Sequence, residues 1–116
     1  MKGIGIDIIE IDRVKAAVKK HGRSFLERVF TPRELEYCSS HKAFKFPELA
    51  VRFAAKEAYA KAIGTGIKGL RWQDIEVVNN RQGKPLIALK GKISKKAQVS
   101  LSHSRDYAVA SVYVAN

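Results

Sequence analysis

The fold is decided by the stretch Arg52-Phe-Ala-Ala-Lys-Glu-Ala-Tyr-Ala-Lys61, which sets charged and aromatic side chains among strong helix formers. Phe53, Glu57 and Lys61 recur every four residues, so they form one stripe along the predicted helix. A carboxylate in line with a phenylalanine indicates a partly buried acid, which needs a counter-charge. Lys61 or a divalent cation could supply it. By spacing alone, however, Glu57 and Lys61 could equally be an ordinary ion pair on a solvated helix face.

The composition indicates one soluble domain spanning residues 1–116. The apolar content is 46% and the charged content 28%, which are ordinary values for a globular chain. No apolar run is long enough for a membrane helix, and the early acids Asp7, Glu10 and Asp12 do not fit a secretory signal. We therefore expect a cytoplasmic protein that does not bind membranes. The single cysteine, Cys38, is expected to be a packing residue.

The charge balance favours anionic partners. Lys and Arg number 22 against 11 Asp and Glu, giving a net charge of +11. Nucleic acid, a phosphorylated metabolite and an acidic protein would all suit such a surface. The basic residues are spread along the chain, which argues against a disordered nucleic-acid-binding arm.

The first half of the chain is predicted to contain one strand followed by helices. The strand runs from Lys2 to Ile11 and alternates isoleucines with Gly3, Gly5 and Asp7. Capping and turn residues mark the ends of the helices. Asp12 is predicted to cap a helix that runs to about His21 and stops at Gly22. Thr31-Pro32-Arg33-Glu34 is a capping box that opens a short helix through Cys38. Pro47 opens the long helix, which ends at the turn Gly64-Thr65-Gly66.

The second half is predicted to consist of strands. Residues 74–78 and 85–89 flank a loop rich in turn formers, residues 79–83. Residues 99–103 and 107–114 are separated by three residues and should pair as a hairpin. The last strand is apolar on both faces, so both should be covered, and a second subunit could provide part of the cover.

Asp7 and Glu57 are the candidate metal ligands. Asp7 lies near the end of an apolar strand, after two glycines that allow close approach of a backbone or ligand. Mg²⁺ is commonly held by one or two carboxylates together with substrate phosphates. The basic residues Lys61, Arg52 and His103 therefore suggest a phosphate ester as the ligand. Arg52 and Glu57 are separated by about 140° around a helix, so they would serve two different phosphate groups.

Ser100-Leu-Ser-His103 at a strand end has more than one interpretation. Adjacent strand residues point to opposite faces, so Ser102 and His103 are poorly placed for serine hydrolase chemistry. His103 is then either a structural histidine or a phosphate-binding one. Gly64-Thr-Gly-Ile-Lys-Gly69 lacks the spacing of a phosphate-binding P-loop.

Together these motifs resemble a known family. Gly5-Ile-Asp7, Arg52-Phe-Ala-Ala-Lys-Glu-Ala58 with Lys61, Gly83-Lys-Pro85 and Ser100-Leu-Ser-His103 are similar, in order and spacing, to the small bacterial holo-acyl-carrier-protein synthases. The resemblance covers essentially the whole chain. It implies the α+β fold of the 4'-phosphopantetheinyl transferases, a small single domain with a long helix packed on an antiparallel sheet.

The resemblance also implies a function. The enzyme would transfer 4'-phosphopantetheine from coenzyme A to a serine of apo-acyl carrier protein, release adenosine 3',5'-bisphosphate and support fatty acid biosynthesis. Asp7 and Glu57 would bind Mg²⁺, and Lys61 would act on the phosphate under attack or on the leaving group. Residues that would bind coenzyme A are Arg52, Lys61, Gly83, Lys84, Pro85 and His103. The family's homotrimer would place the sites at subunit interfaces.

Docking of the acidic carrier protein would fall to the basic first helix and the residues just after it. The family's docking arginines are matched at Arg13 and Arg28, and complementary charge mainly raises association rates. The same residues could instead be a solvated basic face. The general base is open between Glu57, another carboxylate and metal-bound water.

Two other classes of function are compatible with the charge. A small basic RNA-binding domain would explain the value of +11, but aromatic residues do not alternate with Lys and Arg as base-stacking surfaces do. A non-catalytic module that binds carrier protein would need no metal. The expectation is therefore an enzyme that binds no nucleic acid.

Overall fold

The computed structural model describes residues 3–64 and 69–116. The first part contains β1 (Gly3–Glu10), α1 (Ile11–His21), α2 (Arg23–Val29), α3 (Pro32–Tyr37), β2 (Ser39–Ser40), β3 (Ala43–Phe44) and α4 (Phe46–Ile63). After a 3-10 turn (Trp72–Asp74) come β4 (Ile75–Asn79), β5 (Pro85–Leu89), β6 (Lys92–Ile93), β7 (Ala97–His103) and β8 (Tyr107–Val114). This is the predicted α+β fold.

The long helix α4 lies against an antiparallel sheet of strand order β1-β8-β7. A second antiparallel sheet, β4-β5-β6, packs beside it, and β2 and β3 form a separate two-residue hairpin. The predicted pairing of the last two strands is confirmed, with His103 opposite Ala108 next to the connecting loop. The alanines of β8 that face α4, Ala108 and Ala110, are completely buried.

Two glycines of β1 set the distance between that strand and α4. A Cβ atom on Gly3 would lie 1.8 Å from the carbonyl oxygen of Ala62, and one on Gly5 would lie 2.0 Å from that of Ala58. Both distances are far inside van der Waals contact, so only glycine permits this approach. Asp7 is the next residue on the same face of the strand. The close contact therefore brings its carboxylate to the helix surface.

The other face of β1 is apolar and exposed. Ile4, Ile6 and Ile8 have exposed fractions of 73%, 62% and 62%. Ile4 pairs across the strands with Tyr113, which is 40% exposed. Within the described part of the single chain, α4 covers one face of the last strand. Cover of its other face is the part that the prediction assigned to a second subunit. In the single chain this outer face therefore exposes neighbouring apolar side chains, and such patches commonly mark interaction surfaces.

Helix ends agree with the predictions except at the first helix. Asp12 was predicted to be its N-cap, but the helix starts at Ile11, its N-cap is Glu10 and no side chain caps it. The backbone N–H of Ile11 instead donates to the carbonyl oxygen of Asp106 at 2.9 Å. A loop that is close in space thus provides the acceptor for this N–H group of the first turn. The capping box at Thr31 and Glu34 is confirmed.

The long helix begins at Phe46 with proline in its first turn and ends at Gly64, which has the left-handed φ of 78°. Thr65 and Gly66 of the predicted terminal turn lie outside the described residues. Cys38 is fully buried, and burial raises the pKa of its thiol to about 11. It is a packing residue, as predicted. None of the described helices is both long and apolar enough to cross a membrane.

Candidate active site

Lys61 and Asp7 join α4 to β1. The Lys61 ammonium lies 3.0 Å from the Oδ1 atom of Asp7 and also donates to the carbonyl oxygen of Ile6 at 3.0 Å. Asp7 is mostly buried, with a side chain 17% exposed, whereas that of Lys61 is 56% exposed. The predicted convergence of strand and helix is therefore present. Lys61 contacts Asp7, and no ion pair between Lys61 and Glu57 occurs in the described part of the chain.

Glu57 is a half-buried acid, as the stripe with Phe53 predicted. Its pKa is raised, first because burial penalises the charged form and then because the Asp7 carboxylate is near; Lys61 partly opposes both effects. Two carboxylates thus share one small region, and within the described residues the Lys61 ammonium is paired with the Asp7 carboxylate. Such a region attracts a further cation.

Asp7 and Glu57 line the same cleft, of about 340 Å³. Arg13 of α1 lies at this cleft, so one of the two predicted docking arginines is beside the acid pair. The apolar part of the lining includes Phe25 and Phe53, whose rings meet edge to face at 6.3 Å between centroids. The cleft therefore combines anionic ligands, one basic group and an apolar wall. Arg28 is exposed on α2 and does not line it.

The acid pair fits a magnesium ion that also binds phosphate. No group of three or more His, Cys, Asp or Glu side chains able to hold a metal by themselves occurs within residues 3–64 and 69–116. Two carboxylates nevertheless suit Mg²⁺, which keeps several ligands from water or substrate phosphate. Burial, and after it the Asp7 charge, raises the pKa of Glu57, and a divalent ion would relieve the part that comes from charge repulsion. The donor set is therefore suitable for Mg²⁺ together with a phosphorylated substrate.

A second cleft, of about 240 Å³, brings together the other predicted residues. Arg52, Gly83, Pro85 and His103 all line it, whereas Lys84 is exposed and does not. His103 is exposed at the end of β7, and its Nδ1 atom lies 3.3 Å from the carbonyl oxygen of Ser104. Four of the residues expected to bind coenzyme A are thus neighbours in space.

The guanidinium of Arg52 is buried and mostly occupied. It donates to the carboxylate of Glu48 at 2.8 Å and to the Oδ1 atom of Asn79 at 2.8 Å, and it stacks over Tyr37 at 4.3 Å from the ring centroid. Its Nε atom is buried and finds no hydrogen-bond partner within the described ranges. Arg52 therefore supplies positive charge at this cleft, with three of its five N–H donors already engaged.

Asn79 is a site residue that the sequence interpretation missed. Its side-chain amide accepts from Arg52 and donates to the carbonyl oxygen of Gly83 at 3.1 Å, so it links the helix to the loop before Pro85. Gly83 has a positive φ of 85°, which closes the turn. Asn79 was assigned only to a loop of turn formers. The only feature of the sequence that could have pointed to Asn79 as a site residue was its position at the junction of a predicted strand and the following loop.

The two clefts share no lining residue. In a single chain the acid pair and the Arg52–His103 pair therefore form separate sites. Because Arg52 and Glu57 point in directions about 140° apart on one helix, this separation follows from helical geometry.

Comparison with known proteins identifies the family. Residues 3–112 match the model of the 4'-phosphopantetheinyl transferase superfamily. A holo-[acyl-carrier-protein] synthase of Chloroherpeton thalassium is 50% identical over 116 residues, covering 96% of this chain and 95% of the relative. That of Ruminiclostridium cellulolyticum is 49% identical, covering 92% and 87%.

Solved structures give the same result. A Bacillus anthracis holo-(acyl-carrier-protein) synthase in complex with CoA (3',5'-ADP) has a TM-score of 0.81 and 42% identity, with 97% of this chain and 94% of that chain covered. The Helicobacter pylori enzyme in complex with coenzyme A has a TM-score of 0.84 and 36% identity, with 97% and 99% covered. The chain belongs to the 4'-phosphopantetheinyl transferase superfamily. Within it, the chain belongs with the holo-[acyl-carrier-protein] synthases, as the motifs indicated.

Proposed function

We propose that the chain catalyses phosphopantetheine transfer at a site completed by two subunits, with Asp7 and Glu57 as ligands of Mg²⁺. The reaction moves 4'-phosphopantetheine from coenzyme A to a serine of apo-acyl carrier protein and releases adenosine 3',5'-bisphosphate. The observation that carries the proposal is the convergence of Asp7 and Glu57 on one cleft, with the Lys61 ammonium 3.0 Å from the Asp7 carboxylate. Membership of the family favours this enzyme over an RNA-binding domain or a non-catalytic carrier-binding module.

The chemistry requires positioning and neutralisation of charge. The serine oxygen bonds to the phosphorus that carries pantetheine, the bond to the bridging oxygen breaks, and the serine proton passes to a base. Bound Mg²⁺ would supply positive charge for the pyrophosphate oxygens. Asp7 and Glu57 would hold the ion. Lys61, whose ammonium lies beside Asp7, would place this charge near the reacting phosphate or the leaving oxygen.

The base is left open among three groups. The pKa of Glu57 is raised by burial and by the Asp7 charge, a direction that favours proton acceptance, but a ligand of the metal is less free to accept a proton. Another carboxylate and a metal-bound water remain the alternatives.

Arg52 and His103 would bind the 3'-phosphate, and the loop of Gly83, Lys84 and Pro85 would lie against adenine. Support comes from the shared cleft and from the free Nε donor of Arg52. Because Arg52 is largely engaged by Glu48, the exposed His103 would make the more direct contact.

A homotrimer with shared sites would reunite the two clefts. Support comes from their separation within one chain and from the exposed face formed by Ile4, Ile6, Ile8 and Tyr113, which a second subunit would cover. Asp7 and Glu57 of one subunit would then face Arg52 and His103 of the next. In closed assemblies each contact is repeated by symmetry, so three equivalent sites result.

The carrier protein would dock on the basic surface beside the acid pair, where Arg13 lies, with Arg28 further along α2. Acidic partners are steered to such a surface. We further propose that the enzyme works in the cytoplasm, where it would supply holo-acyl carrier protein for fatty acid biosynthesis.

Incubation of apo carrier protein with coenzyme A and Mg²⁺ tests the activity, because only a transferase adds the pantetheine mass to the carrier. Mixed trimers test the shared site. Asp7→Asn and His103→Ala chains should be inactive alone. When refolded together in equal amounts, they should regain about a quarter of the activity, because one junction in four then has both intact residues. No recovery in verified mixed trimers would show that each site lies within one chain.

A further inference from the structure

Lys56, the residue before Glu57, is a completely buried cation outside both clefts. Its ammonium lies 2.8 Å from the Oε1 atom of Glu34, which is also buried, and donates to the carbonyl oxygen of Trp72 at 3.1 Å and to that of Ile75. Burial lowers the pKa of Lys56, and Glu34 opposes that effect. Lys56 is therefore held at one point by three acceptors from two different parts of the fold.

Glu34 is equally engaged. One of its oxygens accepts from the backbone N–H of Thr31 at 3.0 Å, and the other accepts from the backbone N–H of Val77 at 2.9 Å. The Thr31 hydroxyl in turn donates to Glu76, at 2.5 Å. The Lys56–Glu34 pair thus connects α4 to the start of α3 and to β4. Every polar atom of this connection has a defined partner, which makes its geometry specific.

Stability does not by itself explain a buried ion pair. Removing two charges from water costs several kcal/mol per ion, and well-packed apolar replacements are often about as stable. What such a pair does provide is a fixed position, because its hydrogen bonds are satisfied in one arrangement only.

Because Lys56 and Glu57 are adjacent on α4, the pair that fixes Lys56 also affects the position of Glu57. On the side facing β1, Gly3 and Gly5 set the separation of strand and helix but offer no side chain that fixes the rotation of α4. The Lys61 ammonium does reach Asp7 and the carbonyl oxygen of Ile6 from this side, but through a long side chain that is 56% exposed. Lys56 and Glu57 are separated by about 100° around the same helix. A rotation that released Lys56 from Glu34 would therefore also displace the Glu57 carboxylate relative to Asp7.

We propose that Lys56, through its buried pair with Glu34, is a positioning residue that orients α4 so that Glu57 and Asp7 can bind one metal ion together. The inference rests on the proposed role of Asp7 and Glu57 as metal ligands. Lys56 itself touches neither substrate nor metal.

The test measures metal binding and stability separately. Lys56→Met/Glu34→Gln removes both charges together, which avoids an isolated buried ion. Mn²⁺ binding in the presence of coenzyme A is followed by electron paramagnetic resonance, and thermal unfolding is followed without metal. We expect about tenfold weaker Mn²⁺ binding or more, as for other groups that orient metal ligands. Ile87→Val, in the buried core away from the acid pair, is the control for lost stability alone and should bind Mn²⁺ normally.

Normal Mn²⁺ binding by the folded double variant would overturn the inference. If that variant does not fold, Lys56→Gln replaces it, because the shorter glutamine side chain cannot reach the same three acceptors. Mn²⁺ binding by Lys56→Gln should be weakened to the same extent. Normal Mn²⁺ binding would again overturn the inference. Asp7→Asn distinguishes a failure of the metal site from a failure of the positioning role. Normal binding by Asp7→Asn would overturn the proposed metal site and this inference together, whereas weak binding by Asp7→Asn and normal binding by the Lys56 variant would overturn the inference alone.

Discussion

Lys61 holds the Asp7 carboxylate at 3.0 Å and so occupies an oxygen that a metal ion would also use. In the protein alone the ammonium acts as the counter-charge for the acid pair. A divalent ion bound to Asp7 would take over that role, and Lys61, which is more than half exposed, would be free to turn toward a phosphate. The same lysine can therefore stabilise the empty site and assist the reaction in the occupied one.

Replacement of Asp7 by asparagine should abolish metal-dependent turnover without unfolding the protein. The amide keeps the size of the side chain but loses the charge that attracts Mg²⁺ and pairs with Lys61. We expect turnover to fall by about 10²-fold or more, as for the loss of a principal electrostatic contact. Carrier mass analysis over a range of Mg²⁺ concentrations measures it. An unchanged Mg²⁺ dependence would place the metal elsewhere.

Glu57→Gln should make the metal-free protein more stable while it loses activity. The raised pKa means that the folded protein favours protonated Glu57, so this stabilisation is complete below the ordinary glutamate pKa and is lost as pH rises through the raised value. At neutral pH the variant avoids that loss and should unfold at a higher temperature in chelator. Glu10→Gln, at an exposed acid of β1, is the control and should show no such gain.

The same raised pKa predicts how metal binding depends on pH. Mg²⁺ needs the carboxylate form of Glu57, so protons compete with the metal as pH falls through the raised pKa. Metal affinity should therefore begin to fall at a higher pH than an ordinary glutamate would require. A calorimetric titration at several pH values measures this. Affinity that stays constant down to the ordinary range would show that Glu57 is not a ligand.

Gly5→Ala should force β1 and α4 apart. The added Cβ would lie 2.0 Å from the carbonyl oxygen of Ala58, and backbone cannot move aside as a side chain can. Overpacking of this kind costs about 1–3 kcal/mol, and turnover should fall because Asp7 moves with the strand. Chemical denaturation and carrier mass analysis test both effects. Gly91→Ala meets no atom within 4 Å but is strained by its positive φ of 85°, so it is a control for lost stability that should leave turnover by the folded protein unchanged.

Arg13→Glu should raise the KM for the carrier protein, roughly tenfold, with little change in the KM for coenzyme A, because the charge at this cleft steers an acidic partner. Lys92→Glu makes the same change of charge on β6, at the edge of the other sheet, and should have little effect. If both variants raise the carrier KM equally, net charge and not a defined docking surface is responsible.

Ile6→Lys should separate the subunits while leaving the chain folded. The side chain is 62% exposed, so a lysine there costs the single chain within about 0.5 kcal/mol but would be buried unpaired in an interface. Native mass spectrometry should show monomers for the variant and trimers for the parent. Ile93→Lys, at a site 50% exposed on β6, is the matched control and should remain trimeric.

Local patterns predicted the parts of this fold that depend on neighbours along the chain. The α4 helix, its glycine stop and the capping box at Thr31 all follow from residues within one or two turns. The α2 helix was not predicted, because its seven residues are too short to be stable alone and depend on the burial of Phe25 and Leu26. The predicted cap of the first helix was wrong, because the N–H of Ile11 donates to the carbonyl oxygen of Asp106, in a loop that is distant along the chain.

The candidate site also has one part that the local sequence predicts and another part that it does not. The stripe of Phe53, Glu57 and Lys61 follows from helical spacing, but no local pattern brings Asp7 to it across some fifty residues. That pairing was inferred from the chemistry of a shared divalent cation, and the family resemblance then supported it. The exposure of the isoleucines of β1 was also not anticipated. In that strand the glycines face the core, so the usual assignment of larger apolar residues to the inside is reversed.

The two sides of α4 have a consequence for how such an enzyme can change. Glu57 and Arg52 leave the helix in directions about 140° apart and line different clefts, so in a trimer of shared sites a single helix would serve two reaction centres. A tilt that improved one centre would alter its neighbour at the same time. Adaptation of this catalyst to a new donor or acceptor would therefore proceed more readily through the loops around Gly83 and the surface near Arg13 than through the helix that unites them.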